Sequence, residues 1–74
     1  MHKKIAIDPK IRFGKPCVKG TRVAVSDILN LIVAGYKIED IPAQYPRITK
    51  KDVIAAIEYA CKFMDHPAQA ITIS

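Results

Sequence analysis

Gly14-Lys15-Pro16-Cys17-Val18-Lys19-Gly20-Thr21-Arg22-Val23-Ala24-Val25 divides the chain into an extended N-terminal part and a helical remainder. Gly14 and Gly20 can take positive φ without steric penalty, while Pro16 fixes its own φ and pushes Lys15 towards extended geometry. The stretch therefore reads as a shaped loop. Val23, Ala24 and Val25 run apolar into Ser26, so the loop feeds directly into the helical core and acts as a hinge between two structural regimes.

Ahead of the loop, Ile5 and Ile7 alternate with Lys4, Ala6 and Asp8, which predicts a short strand over residues 4–8 that Pro9 stops. Ile11 and Phe13 repeat the alternation and predict a second extended piece. A two-stranded ribbon is marginal by itself, so helices or a second subunit must cover it.

Behind the loop, three helices are expected. Ser26 is the expected cap of the first, with Asp27 at the positive end of its dipole. Val25, Ile28, Leu29 and Ile32 share one face, Leu31 and Val33 broaden it, and Gly35 ends the helix. The second covers residues 39–45, with Glu39 and Asp40 in its first turn and Ile41 and Tyr45 on one face. Pro42 leaves two starts open: near Ile38 with an irregular opening turn, or capped by Asp40 with Pro42 in the first turn. Pro46 closes this helix, because the residue before a proline avoids helical geometry. Thr49-Lys50-Lys51-Asp52 opens the third with a capping hydroxyl and an acid three residues on. Val53, Ile57, Ala60 and Met64 form its apolar row, with Ile54 and Cys61 beside it and Lys51, Asp52, Ala55, Glu58 and Lys62 turned away. Asp65-His66-Pro67 ends it after about four turns. The tail Ala70-Ile71-Thr72-Ile73-Ser74 alternates like a brief strand, frayed or docked on a partner. The chain is thus one domain, with extended pieces and loop over residues 4–25, helices over 26–65 and a tail over 66–74.

A 74-residue chain of this kind buries only about 60% of the surface its unfolded form exposes. Half of its residues are hydrophobic, more than so small a sphere hides easily, so a homo-oligomer or a partner is expected. Twelve Lys and Arg against seven Asp and Glu leave a net charge of +5, and the pI is near 9.4. This balance fits either a nucleic-acid footprint or a basic face that only keeps the protein in solution. Cys17 and Cys61 lie far apart with no CxxC or His/Cys cluster, so free thiols are expected and a metal site is not. The sequence shows no leader pattern and no apolar run near the roughly 18 residues of a membrane span. A cytoplasmic setting is expected.

Two helices joined by a Pro-containing turn, the second opening on Arg47, Lys50 and Lys51, form the pattern of a helix-turn-helix. In that motif the start of the second helix enters the major groove, where Lys and Arg meet phosphates and guanine edges. Ile41 and Val53 are then the apolar residues between the two helices. The loop glycines do not form a phosphate cradle, since neither the Walker spacing nor the dinucleotide fingerprint is present. Arg22 has two readings: a donor that pins loop carbonyls or a carboxylate, which the position favours, or a phosphate contact. No catalytic residues are assigned, because His2 and His66 stand at opposite ends of the chain and the acids fall at caps and exposed helix positions.

The order Asp8-Pro9, Gly14-Lys15-Pro16, Gly20-Thr21-Arg22, Val25, Gly35, Tyr45-Pro46 and Thr49 before Asp52-Val53 resembles domain-of-unknown-function family 433 over residues 5 to about 60. Its members are short prokaryotic helix-turn-helix proteins regarded as antitoxins of the VapB type. Gly14, Pro16, Gly20, Thr21 and Arg22 match the family's signature loop, and Tyr45, Pro46 and Thr49 its turn. Lys37 stands where Ser or Thr often caps the second helix, and Pro42 interrupts that helix. The resemblance implies a mainly α fold, a small homeodomain-like or winged-type helix-turn-helix domain of three helices with a short N-terminal β element. It also implies a homodimer that binds DNA and neutralises a PIN-like ribonuclease toxin; the expected DNA is its own promoter, and no cofactor is expected. The alternative is an interaction or structural subunit that binds no DNA.

Overall fold

Two short antiparallel strands, β1 (Ile5–Ala6) and β2 (Cys17–Val18), pair with Ile5 opposite Val18 and Ala6 opposite Cys17. An isolated bridge from Cys17 to Ala24 brings the end of the loop against the other side of β2. The computed structural model describes residues 3–64. The expected helix stop at residues 65–67 and the tail pattern at 70–74 lie outside the described residues, as does His2.

The strand expected over residues 4–8 is confined to Ile5 and Ala6, and the second extended piece is not where the alternation of Ile11 and Phe13 places it. Asp8 and Pro9 start a β-turn: the Ile11 amide donates to the Asp8 carbonyl at 2.8 Å and the Lys10 amide to the Asp8 carboxylate at 2.9 Å. Arg12, Phe13 and Gly14 then follow with φ of 52°, 58° and 82°, a left-handed turn rather than a strand. Two alternating apolar residues are too short a signal to outweigh this turn chemistry. The partner of β1 comes instead from inside the signature loop, at Cys17 and Val18.

The remainder of the loop is a tight hairpin. The Thr21 amide donates to the Val18 carbonyl at 3.0 Å, and Gly20, with φ 81°, supplies the positive φ that a type II turn needs at its third position. The Thr21 hydroxyl donates to the Val18 carbonyl at 2.8 Å and accepts from the Val23 amide at 3.0 Å. Two further bonds, Val18 amide to Val23 carbonyl and Val25 amide to Pro16 carbonyl, both 2.9 Å, close the hairpin onto the first helix.

That helix, α1 (Val25–Val33), starts one residue before Ser26. Ala24 occupies the cap position, and the Asp27 carboxylate accepts the Ala24 amide at 2.9 Å, so Asp27 rather than Ser26 satisfies the exposed end. Gly35, at φ 102°, ends α1 in a Schellman arrangement: its amide donates to Ile32 and that of Tyr36 to Leu31, each at 3.0 Å. Val33 does not broaden the buried face and is 85% exposed.

The second helical segment is a 3-10 turn (Ile38–Asp40) running into α2 (Ile41–Gln44), with Pro42 in the first turn of α2 and Asp40 at its cap position without a side-chain bond. Tyr45, at φ −131°, leaves helical geometry before Pro46. The third helix, α3 (Lys50–Met64), carries a complete capping box: the Asp52 amide donates to the Thr49 hydroxyl at 3.2 Å and the Thr49 amide to the Asp52 carboxylate at 2.9 Å.

Every element contributes to one core. Ile5, Val18, Val25, Ile28, Ile41, Ile48, Val53 and Ala56 form it, and Ile28, Ile41, Ile48 and Val53 are its largest fully buried side chains. The face of α3 is rotated from the expected row: Asp52, Val53, Ala55 and Ala56 are buried, whereas Met64 and Ile54 are exposed. α1 packs against α3. Over the described residues the result is a small, mainly helical domain of three helices with a two-stranded β element.

Candidate nucleic-acid interface

Arg47, Lys50 and Lys51 are all exposed where the turn after α2 enters α3. They are held there from beneath. Ile48, between Arg47 and Lys50, is buried in the core, and the Ile48 amide donates to the Tyr45 carbonyl at 2.8 Å. Ile41 of α2 and Val53 of α3 are fully buried in the same cluster, as expected of the residues between two paired helices. Three exposed cations therefore lie at or just before the first turn of α3, the positive end of its dipole.

Asp52 does not oppose them as a solvent-facing acid. It is 9% exposed, accepts the Thr49 amide, and lies 3.5 Å from the Lys4 ammonium. Burial pushes the Asp52 pKa up, but the bonds from Thr49 and the charge of Lys4 outweigh it and hold the carboxyl below its ordinary range. Lys3, Lys4 and Lys19 line a shallow recess around Asp52, which extends the basic character to the strand side of α3.

The signature loop is organised by Arg12, which no local sequence motif singles out. Arg12 donates from Nη1 to the Arg22 carbonyl at 2.8 Å and to the Asp27 carboxylate at 2.9 Å. One guanidinium thus joins the left-handed turn, the loop and the start of α1. Burial raises the Asp27 pKa, but the hydrogen bonds from Arg12 and the Ala24 amide, with the Arg12 charge, overcome this and leave the carboxyl below its ordinary range. Arg12 is correspondingly raised, first by its hydrogen bond to Asp27 and then by the charge of Asp27. No short-range pattern announces a pair fifteen residues apart.

Arg22 is therefore not the pin that its position suggests. It offers its carbonyl to Arg12, while its own side chain is exposed and has no hydrogen-bond or ion-pair partner among the described residues. The guanidinium instead rims a groove of about 330 Å³ lined by Thr21, Val23, Tyr45, Pro46 and Arg47. Of the other loop residues, Gly20 and Thr21 shape the hairpin turn, the Pro16 carbonyl ties it to α1, and Gly14 completes the left-handed turn.

A larger apolar groove, about 460 Å³, lies between α1 and the far end of α3, where Leu29, Tyr59, Ala60, Phe63 and Met64 line it. Cys17 is buried and Cys61 exposed, both as free thiols. Burial pushes the Cys17 thiol up despite the opposing charge of Arg12. Among the described residues no three His, Cys, Asp or Glu side chains gather to hold a metal ion, and no helix is long and apolar enough to cross a membrane.

These features define a small three-helix domain with a short β element and a basic helix start. The family model described as "Protein of unknown function (DUF433)" matches residues 5–60, and the chain belongs to this family. A solved structure, the crystal structure of a DUF433 member protein from Anabaena variabilis, is similar with a TM-score of 0.73 and 27% identity. The likeness covers 89% of this chain and 62% of that one, so this chain spans less than two thirds of its length. None of the curated proteins compared matches the chain.

Proposed function

We propose that this protein is a cytoplasmic antitoxin of the VapB type, a homodimer that binds its own promoter through a homeodomain-like helix-turn-helix and neutralises a PIN-like ribonuclease toxin. The α2 and α3 segments are the helix pair, and Arg47, Lys50 and Lys51 are the groove contacts. The observation that carries the DNA part is the exposed basic start of α3 above a buried Ile41 and Val53, with Asp52 turned inward. The antitoxin part rests on the family resemblance of the sequence. Exposed Phe63 and Met64 beside the apolar groove support a protein partner as well.

A gel-shift titration tests the first part. The protein should retard a duplex carrying its own promoter at low salt and release it as salt rises, because each neutralised phosphate releases counterions. Replacing Lys50 and Lys51 with Ala should weaken that binding, and an unchanged shift removes the groove assignment. Co-expression with the neighbouring reading frame tests the second part. Co-purification of a ribonuclease partner by a protein that shifts no DNA favours the interaction subunit instead.

A further inference from the structure

We propose that Arg22 of the signature loop is a DNA contact, and that the groove it shares with Arg47 seats a sugar–phosphate unit of the duplex beside the recognition helix. This rests on the DNA-binding reading above and extends it from the start of α3 to the loop. The fold brings together two residues 25 positions apart in the chain, at the rim of one groove whose walls are Val23, Tyr45 and Pro46. Both arginines are exposed, and neither side chain has an anionic partner among the described residues.

The chemistry of the groove selects its occupant. Two guanidiniums on a rim call for an anion with more than one charged oxygen, and their planar forks suit phosphate. The apolar walls suit the C–H face of a deoxyribose and would leave a free inorganic anion poorly solvated. A backbone unit of duplex DNA supplies both faces. The loop can hold Arg22 in place, because the backbone of Arg22 is fixed by the Arg12 bond to its carbonyl and by the hairpin bonds on either side. The rigid loop presents a side chain that the loop itself does not use.

The test measures binding of a short fluorescent duplex as a function of salt for wild type, R22Q, R22K and K62Q. Because Arg22 and Arg47 share one phosphate, loss of the Arg22 contact should reduce the slope of log K against log[salt] by a measurable amount, at most about 0.9. R22Q should show that reduction with an unchanged melting temperature, and R22K should recover most of it. Lys62 lies in the last turn of α3, away from the groove, so K62Q removes the same charge and should leave the slope unchanged. An R22Q curve that superimposes on wild type, while K50A/K51A weakens binding, overturns the loop contact and leaves the proposed function standing. Equal reductions in R22Q and K62Q overturn it too, since only net charge would then be acting. If wild type binds no duplex at low salt, both readings fall. A measurement on the unmodified chain guards against a variant that does not fold: the amide resonances of Thr21, Val23 and Arg47 should shift on adding duplex, and shifts confined to the start of α3 overturn the inference.

Discussion

Arg12 and Arg22 show how one residue type takes two roles according to what surrounds its side chain. The Arg12 guanidinium is held by the Arg22 carbonyl and Asp27, so R12A should lower the melting temperature. R22A removes a side chain with no partner among the described residues and should leave the melting temperature near that of wild type. Thermal denaturation of the two variants side by side checks this contrast. The pH dependence follows from Asp27 and Asp52, whose folded-state pKa values lie below the ordinary value. Their contribution to stability is complete above the unfolded value of about 3.9 and is lost as pH falls through the lower folded values. Melting temperatures measured down a pH series should therefore drop in acid, and D27N and D52N should each flatten that drop.

Caps and pairings set the boundaries of the elements. Thr49 and Asp52 exchange both bonds of a capping box at the start of α3, so T49A should lower the unfolding free energy by about 1 kcal/mol in denaturant titration. Ile41 is the fully buried residue through which the four-residue α2 enters the core. I41A should lower the unfolding free energy by about 2–5 kcal/mol in the same titration. The start of α3 and the end of α1 were legible in the sequence, because a Thr–Asp pair three apart and a terminal glycine act within one turn. The start of α1 was not. Ser26 is a good capping residue, yet the bridge from Cys17 to Ala24 holds the chain extended up to Ala24, and the helix opens one residue earlier.

At the scale of the whole molecule, the apolar excess expected from composition appears on the surface. Phe13 is fully exposed on the left-handed turn, and Phe63 and Met64 stand beside the apolar groove. A homodimer of the kind proposed would have such residues available to cover, and a dimer that unfolds as it dissociates gains stability with concentration. The melting temperature should then fall as the protein is diluted, and light scattering should give twice the chain mass; a monomer with a constant melting temperature removes the dimer. The candidate site was legible only in part. Arg47, Lys50 and Lys51 were read from a local run, whereas the place of Arg22 beside Arg47 depends on how the loop hairpin lies against the turn after α2.

The sequence by itself determined what acts across a few residues: the Gly20 turn, the Gly35 stop, the break at Pro46 and the Thr49 cap. Each is a matter of allowed backbone angles or of a hydrogen bond closing over one turn. Tertiary structure decided which face of α3 is buried, which residue pairs with β1, and which arginine holds the loop. Those outcomes depend on groups far apart in the chain meeting in one core, where helical periodicity alone cannot tell Ala55 turned inward from Ala55 turned out.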